Sequence, residues 1–119
     1  MILGIGMDIC TVARITAAHA KYGAKLEERI LTPAERKPST TDMYLASRWA
    51  AKEAVAKALG CGIGRKLSFQ DIHIAKHPSG QPYVQLSAKA QKSFAGITLH
   101  LSLTHENDTA AACVVAEKA

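Results

Sequence analysis

Apolar and polar positions recur along this chain with the periods of strands and helices, and each stretch predicts an element. Ile2 to Cys10 is apolar apart from Gly4, Gly6 and one acid, Asp8, which predicts a buried strand that delivers Asp8 to an edge of the core. Thr11 can cap the helix that follows, in which Val12, Ile15 and Tyr22 fall near one face until Gly23 stops or bends it. Arg14, Ala18 and Lys21 form a different stripe. Leu26 to Leu31 is short and amphipathic, Thr32, Pro33 and Glu35 open a further helical turn, and Pro38 to Thr41 reads as a loop. Asp42 to Leu59 is the longest helical stretch, rich in Ala and closed by Gly60, and Cys61 to Gly64 is a flexible turn. Alternation at Ile72 and Ile74 and again from Tyr83 to Leu86, around the turn His77 to Gly80, predicts a hairpin. Ser87 caps a short helix to Phe94. Leu99, Leu101 and Leu103 then alternate ahead of the apolar run Ala110 to Ala116, a second hairpin joined through Glu106, Asn107 and Asp108. The order predicts an α+β fold, a mostly antiparallel sheet with a long central helix.

At 119 residues the chain can bury one core, so residues 1–119 are expected to form a single domain. Apolar residues make up 48% and charged residues 21%, interleaved, which suits a globular protein and argues against disorder. Aromatics are few, so oligomerisation could supply burial that a lone core lacks. A net charge of +5 favours anionic partners. The cations form no dense run and few aromatics lie among them, so nucleic acid is not expected as a partner. The apolar start is broken by Asp8 and lacks a basic leader, so no signal peptide, membrane span or membrane partner is expected and the location is read as cytoplasmic. Cys10, Cys61 and Cys113 lack metal or dithiol spacing and read as small buried hydrophobes.

Asp8, at the end of an apolar strand, must be solvated, paired or bound to a cation, and its plain reading is a solvated strand end. On the long helix Glu53 and Lys57 share a face with Ala46 and Ala50, while Arg48 and Lys52 run along another flank. An exposed Glu–Lys pair at this spacing contributes only about 0.3–0.5 kcal/mol. The dense alanines instead suggest close approach of a backbone or of ligand phosphates. Gly62 and Gly64 can expose amides to an anion or simply end the helix. His105 can meet a phosphate or a metal, or stand solvated in its hairpin, whereas Met7 and Trp49 read as core.

Taken in order, Gly4-Ile5-Gly6-Met7-Asp8-Ile9 with Arg14 and Ile15, then Trp49-Ala50-Ala51-Lys52-Glu53-Ala54 with Lys57-Ala58-Leu59-Gly60 and Gly62-Ile63-Gly64, resemble the holo-acyl carrier protein synthases, the small class of 4'-phosphopantetheinyl transferases. The Gly80 to Pro82 turn and Leu101 to His105 also match in order, so the resemblance covers nearly the whole chain. It implies transfer of 4'-phosphopantetheine from coenzyme A to a serine of acyl carrier protein, in support of fatty acid biosynthesis. It also implies Mg2+ at Asp8 and Glu53, with Lys57 meeting charge on the pyrophosphate. Two carboxylates suit magnesium, which takes oxygen ligands and leaves room for water and phosphate. The base that deprotonates the serine stays open between Glu53 and a water on the metal. The same resemblance implies Arg48, Lys57, Gly62, Gly64, Pro82 and His105 around coenzyme A, and a homotrimer with active sites between subunits. Carrier proteins are acidic, and Arg14, Lys21 and Lys25 offer a basic face to meet one. Thr104 stands where the family often has Ser, and Trp49 where Phe is commoner. The loop from Lys37 to Asp42 is short, so no phosphate contact is carried over to it. Two rival readings are a coenzyme A or nucleotide binding module without catalysis and a basic adaptor for acidic proteins or nucleic acid.

Overall fold

Small side chains on one face of a strand let a helix come unusually close, and this chain places them on both partners. The computed structural model describes residues 1–119. In order the elements are β1 (Ile2–Thr11), α1 (Val12–Tyr22), α2 (Ala24–Ile30), α3 (Asp42–Ala58), β2 (Ile72–Lys76), β3 (Pro82–Leu86), α4 (Ala88–Ser93), β4 (Ile97–Glu106) and β5 (Thr109–Lys118). β5 pairs antiparallel with β1 on one side and β4 on the other, giving the order β1-β5-β4, while β2 and β3 form a separate hairpin. On the side of the sheet that faces α3, Gly6 and Cys10 of β1 and Ala110, Ala112, Val114 and Ala116 of β5 are buried. The α3 face they meet is Ala54 and Ala58. A methyl group on Gly6 would overlap the Ala54 carbonyl oxygen and reach within 2.7 Å of the Ala58 nitrogen. Gly6→Ala is therefore expected to lose about 1–3 kcal/mol of stability, measured as a lower urea midpoint, because the sheet must lift off the helix.

The caps and turns lie where the chain predicts them. Thr11 Oγ1 accepts the Arg14 N–H at 3.2 Å, and Thr41, expected only as the end of a loop, caps α3 by accepting the Tyr44 N–H at 3.0 Å. Gly23 and Gly60 take positive φ at the ends of α1 and α3, and Asn107 does so in the β4–β5 turn. Ser87 caps α4. The β2–β3 and β4–β5 hairpins both form.

Burial departs from expectation in four places. β1 is a strand, but it is not buried throughout. Its outer face carries Leu3, Ile5, Met7 and Ile9 at 47–65% exposure, because α3 covers only the glycine side of the sheet. Met7 is therefore not a core residue. On α1 only Ile15 is buried; Tyr22 projects into solvent at the last position before the Gly23 break. Of the cysteines Cys10 alone is buried, while Cys61 and Cys113 are half-buried in a turn and on the outer sheet face. Finally, the Arg48–Lys52 flank of α3 is no surface stripe, since both residues are buried.

Lys52 is the hub of this region. Its ammonium donates to Glu35 Oε1 at 2.6 Å, to the Ile30 carbonyl at 2.6 Å and to the Phe69 carbonyl at 3.1 Å, so all three donors are used. Glu35, in the 3-10 turn Pro33–Glu35, also accepts the N–H of Thr32 at 2.8 Å and of Ile74 at 2.9 Å. Burial lowers the Lys52 pKa, and the charge of Glu35 works against that shift. The pair fastens α3 to the segment between α2 and α3 and to β2, and so sets the rotation of α3 about its own axis.

Candidate active site

Trp49, Glu53 and Lys57 stand one turn apart on a single stripe of α3. β1 runs past the adjacent Ala54 and Ala58 at glycine distance and presents Asp8 from the same face as Gly6. Lys57 Nζ donates to Asp8 Oδ1 at 3.1 Å and to the Met7 carbonyl at 2.9 Å, so Lys57 is tied to β1 rather than to Glu53. The ordinary i, i+4 pair that the spacing allows is not the one formed. The Asp8 side chain is only 15% exposed, and its second oxygen, Oδ2, is buried with no hydrogen-bond partner. Burial raises the Glu53 pKa, the negative charge of Asp8 raises it further, and Lys57 and Arg14 act in the opposite direction.

These residues fit a divalent cation. A buried carboxylate oxygen without a partner is costly, and two acids that repel each other gain from a positive ion between them. No third acid, histidine or cysteine completes a cluster. That suits magnesium, which takes one or two carboxylates and completes its shell with water and phosphate oxygens. Asp8 and Glu53 are the residues that would hold it.

A second cleft, of about 510 Å³, opens beside the N-terminal half of α3 and is lined by Tyr44, Ser47, Arg48, Lys76, Pro82 and His105, among others. The Arg48 guanidinium lies 4.3 Å from the centre of the Tyr44 ring and donates to Ser47 Oγ at 3.0 Å, while its buried Nε has no partner. Lys37 Nζ stands 4.2 Å from the same ring. Tyr44 is held by donating its hydroxyl to the Glu35 carbonyl at 2.8 Å, and burial raises its pKa. A cleft lined by Arg48 and Lys76 is suited to an anion. Tyr44 and Lys76 do not stand out in the sequence. Neither their spacing nor their type differs from that of surface residues, and only the meeting of α3 with the β2–β3 turn groups them.

The expected coenzyme A residues thus divide into two sets. Arg48, Pro82 and His105 share the cleft, whereas Lys57, Gly62 and Gly64 do not line it. Glu53 lies five residues beyond Arg48, roughly 140° around the helix, so the two side chains leave α3 on different sides. The glycine turn also differs from expectation. The Gly62 and Gly64 amides donate to the carbonyls of Ala56 at 3.3 Å and Leu67 at 2.9 Å, and so are not free for an anion. What these glycines offer is open space beside each α-carbon. Arg14 and Lys21 are exposed on one stripe of α1, and Lys25 is exposed but lies beyond the Gly23 break in α2.

Comparison with known proteins gives the class. Residues 4–114 match the 4'-phosphopantetheinyl transferase superfamily. The sequence is 46% identical to a holo-[acyl-carrier-protein] synthase of Shewanella sp. (strain ANA-3), over 98% of this chain and 97% of that one. The crystal structure of the Neisseria meningitidis holo-[acyl-carrier-protein] synthase superposes with a TM-score of 0.93 at 42% identity, covering 99% of this chain and 100% of that one. The Helicobacter pylori holo-[acyl-carrier-protein] synthase in complex with coenzyme A gives 0.85 at 38% identity, covering 95% and 99%. The chain belongs to the 4'-phosphopantetheinyl transferase superfamily. Within it, the chain is an enzyme of the holo-[acyl-carrier-protein] synthase kind. No helix is long and apolar enough to cross a membrane.

Proposed function

We propose that this enzyme moves the 4'-phosphopantetheine group of coenzyme A onto a serine of apo acyl carrier protein, leaving adenosine 3',5'-bisphosphate. It uses Mg2+ held by Asp8 and Glu53 and serves fatty acid biosynthesis in the cytoplasm. The observation that carries the reading is the meeting of Asp8, with its unpartnered oxygen, and Glu53 beside Lys57, in a chain of this family.

When bound, the metal supplies charge neutralisation at the pyrophosphate. Lys57, whose side chain is 52% exposed while its ammonium is anchored on Asp8 and Met7, adds a fixed positive charge where the bisphosphate leaves. The serine oxygen attacks the phosphorus that carries pantetheine, and the bond from that phosphorus to the bridging oxygen breaks. The proton of the serine would pass to Glu53 or to a water on the metal. Arg48, Pro82 and His105 hold the nucleotide end, with open backbone at Gly62 and Gly64 admitting the chain of coenzyme A. Arg14, Lys21 and Lys25 meet the acidic carrier.

The working unit is a homotrimer with active sites between subunits. Two features support this: the apolar outer face of β1, and the division of the coenzyme A residues between two sides of α3. In such an assembly one subunit's cleft would meet its neighbour's carboxylates.

Incubation with coenzyme A, Mg2+ and apo acyl carrier protein is expected to give the pantetheine adduct by mass spectrometry, and chelation of the metal to abolish it. Absence of adduct across several bacterial carriers would return the protein to a coenzyme A binding role. Formation of adduct in the presence of a chelator would remove the metal from the scheme.

A further inference from the structure

Trp49 is the chain's single tryptophan, one turn before Glu53 on α3. It is half-buried and in contact with two groups. Its ring packs against Phe69, itself buried, with centroids 5.0 Å apart and 42° between planes. The Arg14 guanidinium carbon lies 4.9 Å from the indole centroid. No carboxylate pairs with Arg14, and its backbone N–H is fixed by the Thr11 cap. The guanidinium is therefore ordered by an aromatic face while its donors stay free for an incoming carboxylate, which arginine can grip through two parallel hydrogen bonds. Among aromatic side chains indole attracts a cation most strongly. A long side chain ordered in advance also loses less freedom on binding.

We propose that Trp49 is a positioning residue for carrier docking: it holds the Arg14 guanidinium beside the Asp8–Glu53 site, so that an acidic carrier surface engages Arg14 with its serine at the carboxylates. The inference rests on the carrier-facing role of Arg14 in the proposed function. Trp49 touches no reacting atom in this scheme and acts through Arg14.

The test is steady-state transfer, varying carrier protein and coenzyme A separately, for the wild type, Trp49→Phe, Trp49→Met, Arg14→Ala and the double variant Arg14→Ala/Trp49→Met. Trp49→Met is expected to raise the KM for carrier protein about 2- to 5-fold, with the KM for coenzyme A unmoved. Trp49→Phe, which keeps a weaker ring face, falls between Trp49→Met and the wild type. With Arg14 already removed, Trp49→Met adds nothing to the carrier KM. An equal penalty with and without Arg14 would show that Trp49 only supports the fold, and would overturn the proposal. So would a carrier KM raised by Arg14→Ala and untouched by Trp49→Met. An unchanged carrier KM in Arg14→Ala overturns the carrier-facing role of Arg14 itself, a distinct result. If Trp49→Met does not fold, Trp49→Phe with and without Arg14 decides the same question.

Discussion

Glu53→Ala is expected to cut the rate of pantetheine transfer at least about a hundred-fold. Charge neutralisation at phosphate by a metal supplies several kcal/mol of barrier lowering, and each ~1.4 kcal/mol is a factor of ten. The quieter variant Glu53→Gln separates the metal from the fold. Burial and the charge of Asp8 raise the Glu53 pKa in the folded chain, so folding favours the protonated form. The stability this contributes is full below the ordinary glutamate range and is lost as pH rises through the raised value. Without metal, Glu53→Gln should therefore melt higher than the wild type at neutral pH, and the difference should vanish in acid. Added Mg2+ should raise the Tm of the wild type and leave that of Glu53→Gln unchanged. Retained transfer in Glu53→Ala, or the same Mg2+ response in both proteins, would take Glu53 out of the metal site.

Lys52→Met is expected to lose about 3–5 kcal/mol of stability, because it leaves the Glu35 carboxylate buried without its cation. Urea unfolding should show a lower midpoint with an unchanged slope. Adding Glu35→Gln should restore part of the loss, since the buried charge is then gone. It cannot restore all of it, because Thr32 donates to one Glu35 oxygen and Ile74 to the other, and an amide offers only one oxygen. A loss below about 1 kcal/mol in Lys52→Met would mean that water reaches Glu35 and the pair is not closed.

The two variants probe residues that differ in how far the sequence reveals them. Asp8 and Glu53 are legible in the sequence, but as residues with ordinary alternatives: an acid ends many strands, and Glu followed by Lys four residues later occurs on many exposed helices. The ordered motifs separate them from that background. Lys52 is legible only as a charge on an alanine-rich helix. Its position relative to Val55 and Ala56, three and four residues on and both buried, is the signal that it faces inward. The Thr32–Glu35 capping pattern is equally legible as a turn. That its carboxylate also reaches Lys52 is not a property of the turn. The exposed outer face of β1 is hidden from sequence reasoning, since an apolar run reads as buried whether its cover comes from its own chain or from a neighbour.

The helices, the hairpins, the caps at Thr11 and Ser87 and the mixed architecture were determined by the sequence alone, because each depends on residues within a few positions of one another, where periodicity, capping and glycine geometry act. Tertiary structure alone decided that Lys57 ties to Asp8, that Gly62 and Gly64 spend their amides internally, that Arg48 and Glu53 serve different sides of α3, and that Trp49 meets Arg14. Such contacts join segments distant in the chain. They follow from how closely Gly6 lets β1 approach α3 and how the Lys52–Glu35 pair sets the helix's rotation, and neither quantity is encoded in any local stretch of residues.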